Sequence, residues 1–164
     1  FEPQPLVINS VCQTLFKQHQ AEAKARGVFL KLEMPERFPA IMADERLFEQ
    51  ALENLISNAL KYTPKGGAAE IRIEPKDNQA LFSVSDTGVG IPEADKDKIF
   101  KKFFRANNVL KMQTAGTGMG LYIAKAIVES HGGKIWFSSR SASGGESKAG
   151  QGSTFYFTIP LATE

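Results

Sequence analysis

The sequence predicts one α+β domain, with helices laid on one face of a mixed sheet. Three observations predict it. A strongly amphipathic helix lies in the first half of the chain, and several short segments alternate and are rich in strand formers. The two kinds of element also mix without the regular strand–helix alternation of a doubly wound sheet. At 164 residues, 42% of them hydrophobic, the chain has the length of one domain and apolar material for one core. No repeat or linker divides 1–164.

In chain order, Leu6, Val7, Val11, Leu15 and Phe16 recur at helical intervals, predicting a helix from about Leu6 to Arg26 that Gly27 stops. Val28 to Glu33 reads as a strand, Pro35 and Pro39 punctuate, and Ile41-Met-Ala offers a second short strand. Asp44 is a good N-cap for the main helix. Its stripe is Leu47, Phe48, Ala51, Leu52, Leu55, Ile56, Ala59 and Leu60, and Thr63-Pro-Lys-Gly-Gly ends it. Strands Ala69–Glu74 and Ala80–Ser85 follow, separated by the turn-like Pro75-Lys-Asp-Asn. Asp86 to Pro92 is a loop, about Asp95–Phe103 a helix, and Ala106–Ala115 an irregular polar segment. A helix runs from Gly116-Thr-Gly-Met-Gly to about His131. Gly132-Gly turns into strand Lys134–Ser138, Ser139–Gly152 reads as a flexible loop, and Ser153–Pro160 is the last strand.

Composition narrows the function. Twenty Lys and Arg against 18 Asp and Glu leave a net charge of +2, which gives no general pull toward nucleic acid or membrane. The basic stretch Lys96–Lys111 is either a solvated helix face or a local positive field for an anion. Cys12 is the only cysteine, so an internal disulfide and a cysteine metal site are excluded, in keeping with a reducing compartment. No apolar run nears the roughly 20 residues that span a bilayer, and no secretory signal opens the chain. The chain reads as a soluble, cytoplasmic piece of something longer.

On a helical wheel of about 100° per residue, Asn54, Asn58 and Lys61 fall within about 60° of one another beside the apolar stripe. Asn is a mediocre helix former, so two of them at i and i+4 call for a reason. Amide oxygens are hard donors suited to Mg2+, and a lysine one turn on can meet a phosphate. A solvated amide–amine face fits the same spacing. Five of the 14 glycines fall in two short segments, Gly88 and Gly90, then Gly116, Gly118 and Gly120. Glycine lets a backbone approach a ligand closely, and a helix start offers free N–H groups to phosphate; an ordinary tight turn is the plainer alternative. Asp86 ends a strand, and its carboxylate either accepts from an adenine amino group or initiates a turn on its own backbone.

Together these segments resemble the nucleotide-binding boxes of the sensor histidine kinases, within the wider GHKL ATPase superfamily. Asn54-Leu-Ile-Ser-Asn-Ala-Leu-Lys-Tyr-Thr-Pro is similar to the Asn box, and Asp86-Thr-Gly-Val-Gly-Ile-Pro to the first glycine box. Ile99-Phe-Lys-Lys-Phe-Phe-Arg resembles the Phe box and Gly116-Thr-Gly-Met-Gly-Leu the second glycine box, with His131-Gly-Gly and Gly152-Ser-Thr-Phe as later landmarks. The match covers about Asp44 to Pro160, and four boxes in order are far more specific than any one.

The resemblance implies a two-layer α/β sandwich with a mixed sheet of about five strands, the Bergerat fold, and Mg-ATP as the ligand. It implies that Asn58, with Asn54 nearby, holds Mg2+ and that Lys61 and Arg105 act on the phosphates. Tyr62 would lie against the nucleotide, Asp86 would recognise the adenine amino group, and Gly88, Gly90 and Ile91 would line the adenine pocket. Gly116, Thr117, Gly118, Met119, Gly120 and Leu121 would close on phosphate, residues 104–117 would form an ATP lid, and Thr154 would add to the adenine end. Lys101-Lys102 departs from the acidic residue and proline often found there, and Ser139–Gly152 is longer than usual.

The family phosphorylates a histidine on a helical dimerisation domain, and this chain holds only two histidines. His131 sits in a turn, and His19 in Gln-His-Gln-Ala-Glu lacks the Ser/Asn-His-Glu-x-x-Arg-x-Pro pattern. The resemblance therefore implies an acceptor domain outside the chain, a homodimeric parent protein and a response regulator downstream. Two other readings remain: a GHKL-type ATPase and a non-catalytic nucleotide-binding module. Such ATPases carry a water-activating Glu at the position of Asn54, and Asn cannot take that proton.

Overall fold

The computed structural model of the chain describes residues 1–102, 104, 119–140 and 152–163. In order these form β1 (Gln4–Leu6), α1 (Asn9–Arg26), β2 (Phe29–Glu33), β3 (Ile41–Ala43) and α2 (Glu45–Tyr62). Then come β4 (Ala68–Lys76), β5 (Gln79–Asp86), α3 (Gly120–Ser130), β6 (Ile135–Arg140) and β7 (Gly152–Pro160). Five strands make one sheet in the order β2-β4-β5-β7-β6, with β2 parallel to β4 and the remaining neighbours antiparallel. The α+β class and the mixed five-stranded sheet are as predicted.

The α2 stripe explains why the helices take one face of that sheet. Phe48, Leu52, Leu55, Ile56 and Leu60 are fully buried. Phe48 meets Phe82 of β5 at 5.2 Å between ring centroids, and Phe82 stacks on Phe157 of β7 at 4.5 Å. Truncating one of these rings to alanine costs roughly 3–5 kcal/mol, the usual range for a buried aromatic. The Phe box joins the same layer from outside, Phe100 meeting Phe137 and Phe155 edge-on at 6.0 and 6.3 Å.

Three elements differ from the sequence expectation. Gln4–Leu6 is a strand paired antiparallel with β3, so Leu6 lies outside α1, which starts at Asn9. The Pro75–Asn78 turn is shorter than its composition implies: β4 continues to Lys76, and only Asp77 and Asn78, at φ 52° and 63°, make the reversal. Two successive left-handed residues are what a tight hairpin with the right twist requires. The helix expected over Asp95–Phe103 is a 3-10 turn at Glu93–Asp95 continued by further i→i+3 bonds, Lys101 N–H to the Lys98 carbonyl at 2.9 Å among them. Ile99 is the one buried residue between Lys96 and Lys102, and a single apolar anchor does not sustain an amphipathic helix.

Candidate functional site

The two helices that flank the site are tied together at the end remote from it. The Asp44 side chain caps α2, accepting from Leu47 N–H at 3.2 Å and, through its second oxygen, from Glu2 N–H at 2.8 Å. These backbone donors hold its carboxyl below the usual range. The Asp44 amide in turn donates to His131 Nε2 at 3.0 Å, while His131 Nδ1 lies 2.8 Å from the Ile127 carbonyl. One ring nitrogen must accept and the other donate, so the imidazole is the neutral Nδ1–H tautomer. His131 is a strut between the end of α3 and the start of α2.

At the other end of α2, the three polar side chains found on the wheel divide. Asn54 Nδ2 donates to the Gly120 carbonyl at 3.1 Å, clamping the first residue of α3 to α2. Asn58 and Lys61, one turn further on, make no hydrogen bond or ion pair among the described residues and are only half-buried. The Tyr62 carbonyl accepts from Val89 N–H at 3.3 Å, and the Tyr62 ring packs against Val89. The first glycine segment is thereby fastened to the end of α2.

Asp86 ends β5 on the helix side of the sheet. Its Oδ1 accepts from Gly88 N–H at 2.8 Å and from Ser153 N–H at 3.3 Å, and Oδ2 has no partner among the described residues. Burial pushes the carboxyl up to about 6, with the two amides pulling back. The bond to Gly88 is the self-directed turn that the sequence left open. The bond from β7 adds a second constraint, and the remaining oxygen keeps its capacity to accept. Gly88 must be glycine here, because a Cβ would run into the Tyr62 carbonyl and Asp86 Oδ1. Gly90 takes φ 71°, and Ile91 is buried beside it.

Around this carboxylate runs a chain of hydroxyls. Ile91 N–H donates to Ser139 Oγ at 2.8 Å; Ser139 Oγ donates to the Gly152 carbonyl at 3.0 Å and lies 2.7 Å from Ser153 Oγ. Thr154 is turned elsewhere: its hydroxyl pairs with Ser85 Oγ at 3.0 Å. Because strand side chains alternate, Thr154 and Ser85 share the face opposite Asp86, and Ser153 is the β7 residue on the Asp86 side. Ser139 and Ser153 went unnoticed in the sequence because their partners lie far away along the chain and no local pattern marks them.

Of the expected site residues, Asn54, Asn58, Lys61 and Tyr62 lie on the last turns of α2, to which the segment bearing Asp86, Gly88, Gly90 and Ile91 is fastened by the Tyr62–Val89 bond. Gly120 stands opposite Asn54, with Met119 and Leu121 beside it in the chain. Arg105, Gly116, Thr117, Gly118 and all of the expected lid except Phe104 lie outside the described residues. Lys96 of the basic stretch is engaged within the fold, its Nζ reaching Glu93 at 2.8 Å and the Ser139 carbonyl at 3.0 Å. Among the described residues no group of three His, Cys, Asp or Glu could hold a metal. The donors at the α2 end are amide oxygens, a set that fits Mg2+ completed by phosphate and water. Separately, a groove of about 170 Å3 between α1 and α2, lined by Thr14, Glu45 and Glu49 among others, lies more than two turns of α2 from Asn58.

Residues 43–163 match the model of the histidine kinase-, DNA gyrase B- and HSP90-like ATPases. The chain belongs to that family. It is 34% identical over 158 residues to the adaptive-response sensory kinase SasA of Synechocystis, covering 96% of this chain and 39% of the relative. It is 39% identical over 133 residues to the sensor histidine kinase WalK of Bacillus subtilis, covering 80% of this chain and 20% of that one. The chain thus spans two fifths or less of these relatives' lengths. Among solved structures, the catalytic domain of histidine kinase ThkA superposes with TM-score 0.81 at 29% identity, over 99% of this chain and 100% of that one. Full-length ShkA in complex with AMPPNP superposes at 0.80 with 27% identity, covering 100% of this chain and 32% of that one. ThkA in complex with the response regulator TrrA does so at 0.76 with 27% identity, over 98% and 42%.

Proposed function

We propose that this histidine kinase-type ATPase domain binds Mg-ATP in the crevice between α2, the first glycine segment and the start of α3. There it presents the γ-phosphoryl group to a histidine on a separate helical domain. The observation that carries the reading is the pairing of opposite characters in one crevice. Asn58 and Lys61 are unengaged among the described residues at one end, and the Asp86 carboxylate is held by two amides at the other.

Asp86 Oδ2 accepts from the exocyclic amine of adenine, Gly88, Gly90 and Ile91 form the wall of the base pocket, and Tyr62 borders the nucleotide. On the α2 side Asn58, with Asn54 nearby, would hold Mg2+, and the ion would supply positive charge to offset that developing on the phosphates. Lys61 places a point charge on the phosphate chain, and Arg105 assists it. Ser153 takes the place at the adenine end that the sequence had given to Thr154. Phosphoryl transfer leaves little covalent work to the protein: the acceptor imidazole nitrogen bonds phosphorus as the β–γ bridging P–O bond breaks, and ADP departs. Asn54 in place of a carboxylate leaves no base here to activate water.

No helix among the described residues is long and apolar enough to cross a membrane. The domain acts in the cytoplasm, whether or not the parent protein is anchored in the inner membrane, and the parent is a homodimer with the helical domain as phosphate acceptor and a response regulator downstream. Mixing the chain with γ-labelled ATP, Mg2+ and the helical domain of the parent protein tests this. Label on histidine, labile to acid and stable to base, is the expected result. Free phosphate alone would make the domain an ATPase, and binding without chemistry a nucleotide-holding module.

A further inference from the structure

Ser139, the penultimate residue of β6, is outside every residue assigned above to the nucleotide, yet its hydroxyl joins the first glycine segment to the start of β7. It accepts from Ile91 N–H at 2.8 Å, donates to the Gly152 carbonyl at 3.0 Å and meets Ser153 Oγ at 2.7 Å. A hydroxyl has one proton and two lone pairs. With the proton on Gly152, the lone pairs take the Ile91 amide and the Ser153 hydroxyl, so the Ser139 oxygen is fully used. Its own carbonyl accepts from Lys96 Nζ at 3.0 Å.

Each of these partners leads to Asp86. Ile91 follows the left-handed Gly90 at the close of the first glycine segment, whose Gly88 amide is one donor to Asp86 Oδ1. Ser153 supplies the other donor through its own amide. Gly152, at φ 134°, sits so close that a Cβ there would run into the Asp86 carbonyl, so any shift of the β7 start is passed to Asp86 directly. The β6–β7 ladder already pairs Ser139 with Ser153 through the backbone. What the hydroxyl adds is the bond to the glycine segment, a link between regions 48 residues apart in the chain.

We propose that Ser139 is a positioning residue of the base pocket, setting the first glycine segment against the start of β7 so that Asp86 Oδ2 faces the exocyclic amine of adenine. The proposal rests on the assignment of the base to Asp86, and the test separates the two. Calorimetry on the intact chain compares ATP with purine riboside triphosphate, which lacks only the 6-amino group. The unsubstituted chain should prefer ATP about tenfold or more, because a buried acceptor left without its donor is costly. Ser139→Ala should lose about tenfold in ATP affinity and less than about twofold for the analogue, because only the amine contact depends on aim. Ser139→Thr, which keeps the hydroxyl, should restore the preference, and Ser138→Ala on the other face of β6 should leave it unchanged.

Equal losses for both nucleotides, or no loss with Ser139→Ala, would overturn the positioning role. No preference in the unsubstituted chain would remove Asp86 from the base pocket and the proposal with it. Should Ser139→Ala fail to fold, amide exchange in the unsubstituted chain decides. A protected Ile91 N–H supports the link, and exchange at the rate of a free peptide contradicts it.

Discussion

The two ends of the proposed nucleotide site are built on opposite plans. At the Asp86 end the polar groups engage one another: two amides on one carboxylate oxygen, one serine joining three neighbours, and a glycine segment fastened to α2. At the α2 end Asn54 is clamped to Gly120, while Asn58 and Lys61 extend without partners among the described residues. The first plan suits recognition, where a rigid acceptor must meet one donor with little loss of freedom on binding. The second suits phosphate and metal, whose charge completes what the protein leaves open. One end is therefore preorganised by the fold and the other is organised by the ligand.

The contrast predicts that substitutions at the two ends fail differently. Asn58→Ala should have the largest effect, lowering phosphoryl transfer on the order of a hundredfold, the scale on which loss of one group that stabilises transition-state charge is felt. Single-turnover transfer to the helical domain at saturating Mg-ATP measures it, and ATP binding without Mg2+ should barely change. Asp86→Asn should weaken ATP affinity by about tenfold or more, since an amide turned to keep its Gly88 and Ser153 bonds offers the base a donor where an acceptor is needed. Calorimetry reads this.

The same Asp86→Asn change should raise thermal stability. Burial lifts the Asp86 carboxyl from 3.8 to about 6, so the folded state holds the proton more tightly than the unfolded chain. Its contribution to stability is then fully present below pH 3.8 and is lost as pH rises through about 6. At pH 7 the neutral amide escapes that cost, and Tm should rise by a few degrees, roughly what 1 kcal/mol or less brings a domain of this size. The advantage should fade as pH falls from 6 toward 4. Unchanged stability across that range would mean that the carboxylate is better solvated than its surroundings indicate. The smallest effect belongs to Asn54→Ala: a severalfold loss in transfer, because Asn58 would still hold the metal, with faster amide exchange in the first turn of α3, where the lost exposed hydrogen bond is worth about 1 kcal/mol.

Much of this was legible in the sequence, for local reasons. The α2 stripe is wide, its Asp44 cap is of the preferred type, and Thr63-Pro-Lys-Gly-Gly stops it, so helix and boundary were both found. Asp86 and its glycines could be placed because strand, turn and carboxylate adjoin. β1 was missed because Gln-Pro-Leu has no strand character of its own and owes its shape to pairing with β3 across 35 to 39 residues of chain. The helix expected over Asp95–Phe103 was over-read, since Phe100 packs onto β6 and β7 as a single ring rather than as part of an apolar stripe. Thr154 and Ser153 were separable only once the β5–β7 register was known, since one residue decides the face. The division among Asn54, Asn58 and Lys61 was equally hidden, because Gly120 is 66 residues from Asn54.

The transfer rate at saturating ATP, compared between Asp86→Asn and Asn58→Ala in one assay, tests the two-plan account most directly. Once enough ATP fills the site, Asp86→Asn should transfer within about threefold of the unsubstituted chain, while Asn58→Ala stays about a hundredfold slower. Equal losses at saturation would contradict the division between a recognising end and a reacting end, and so would an Asn58→Ala chain that recovers with added ATP.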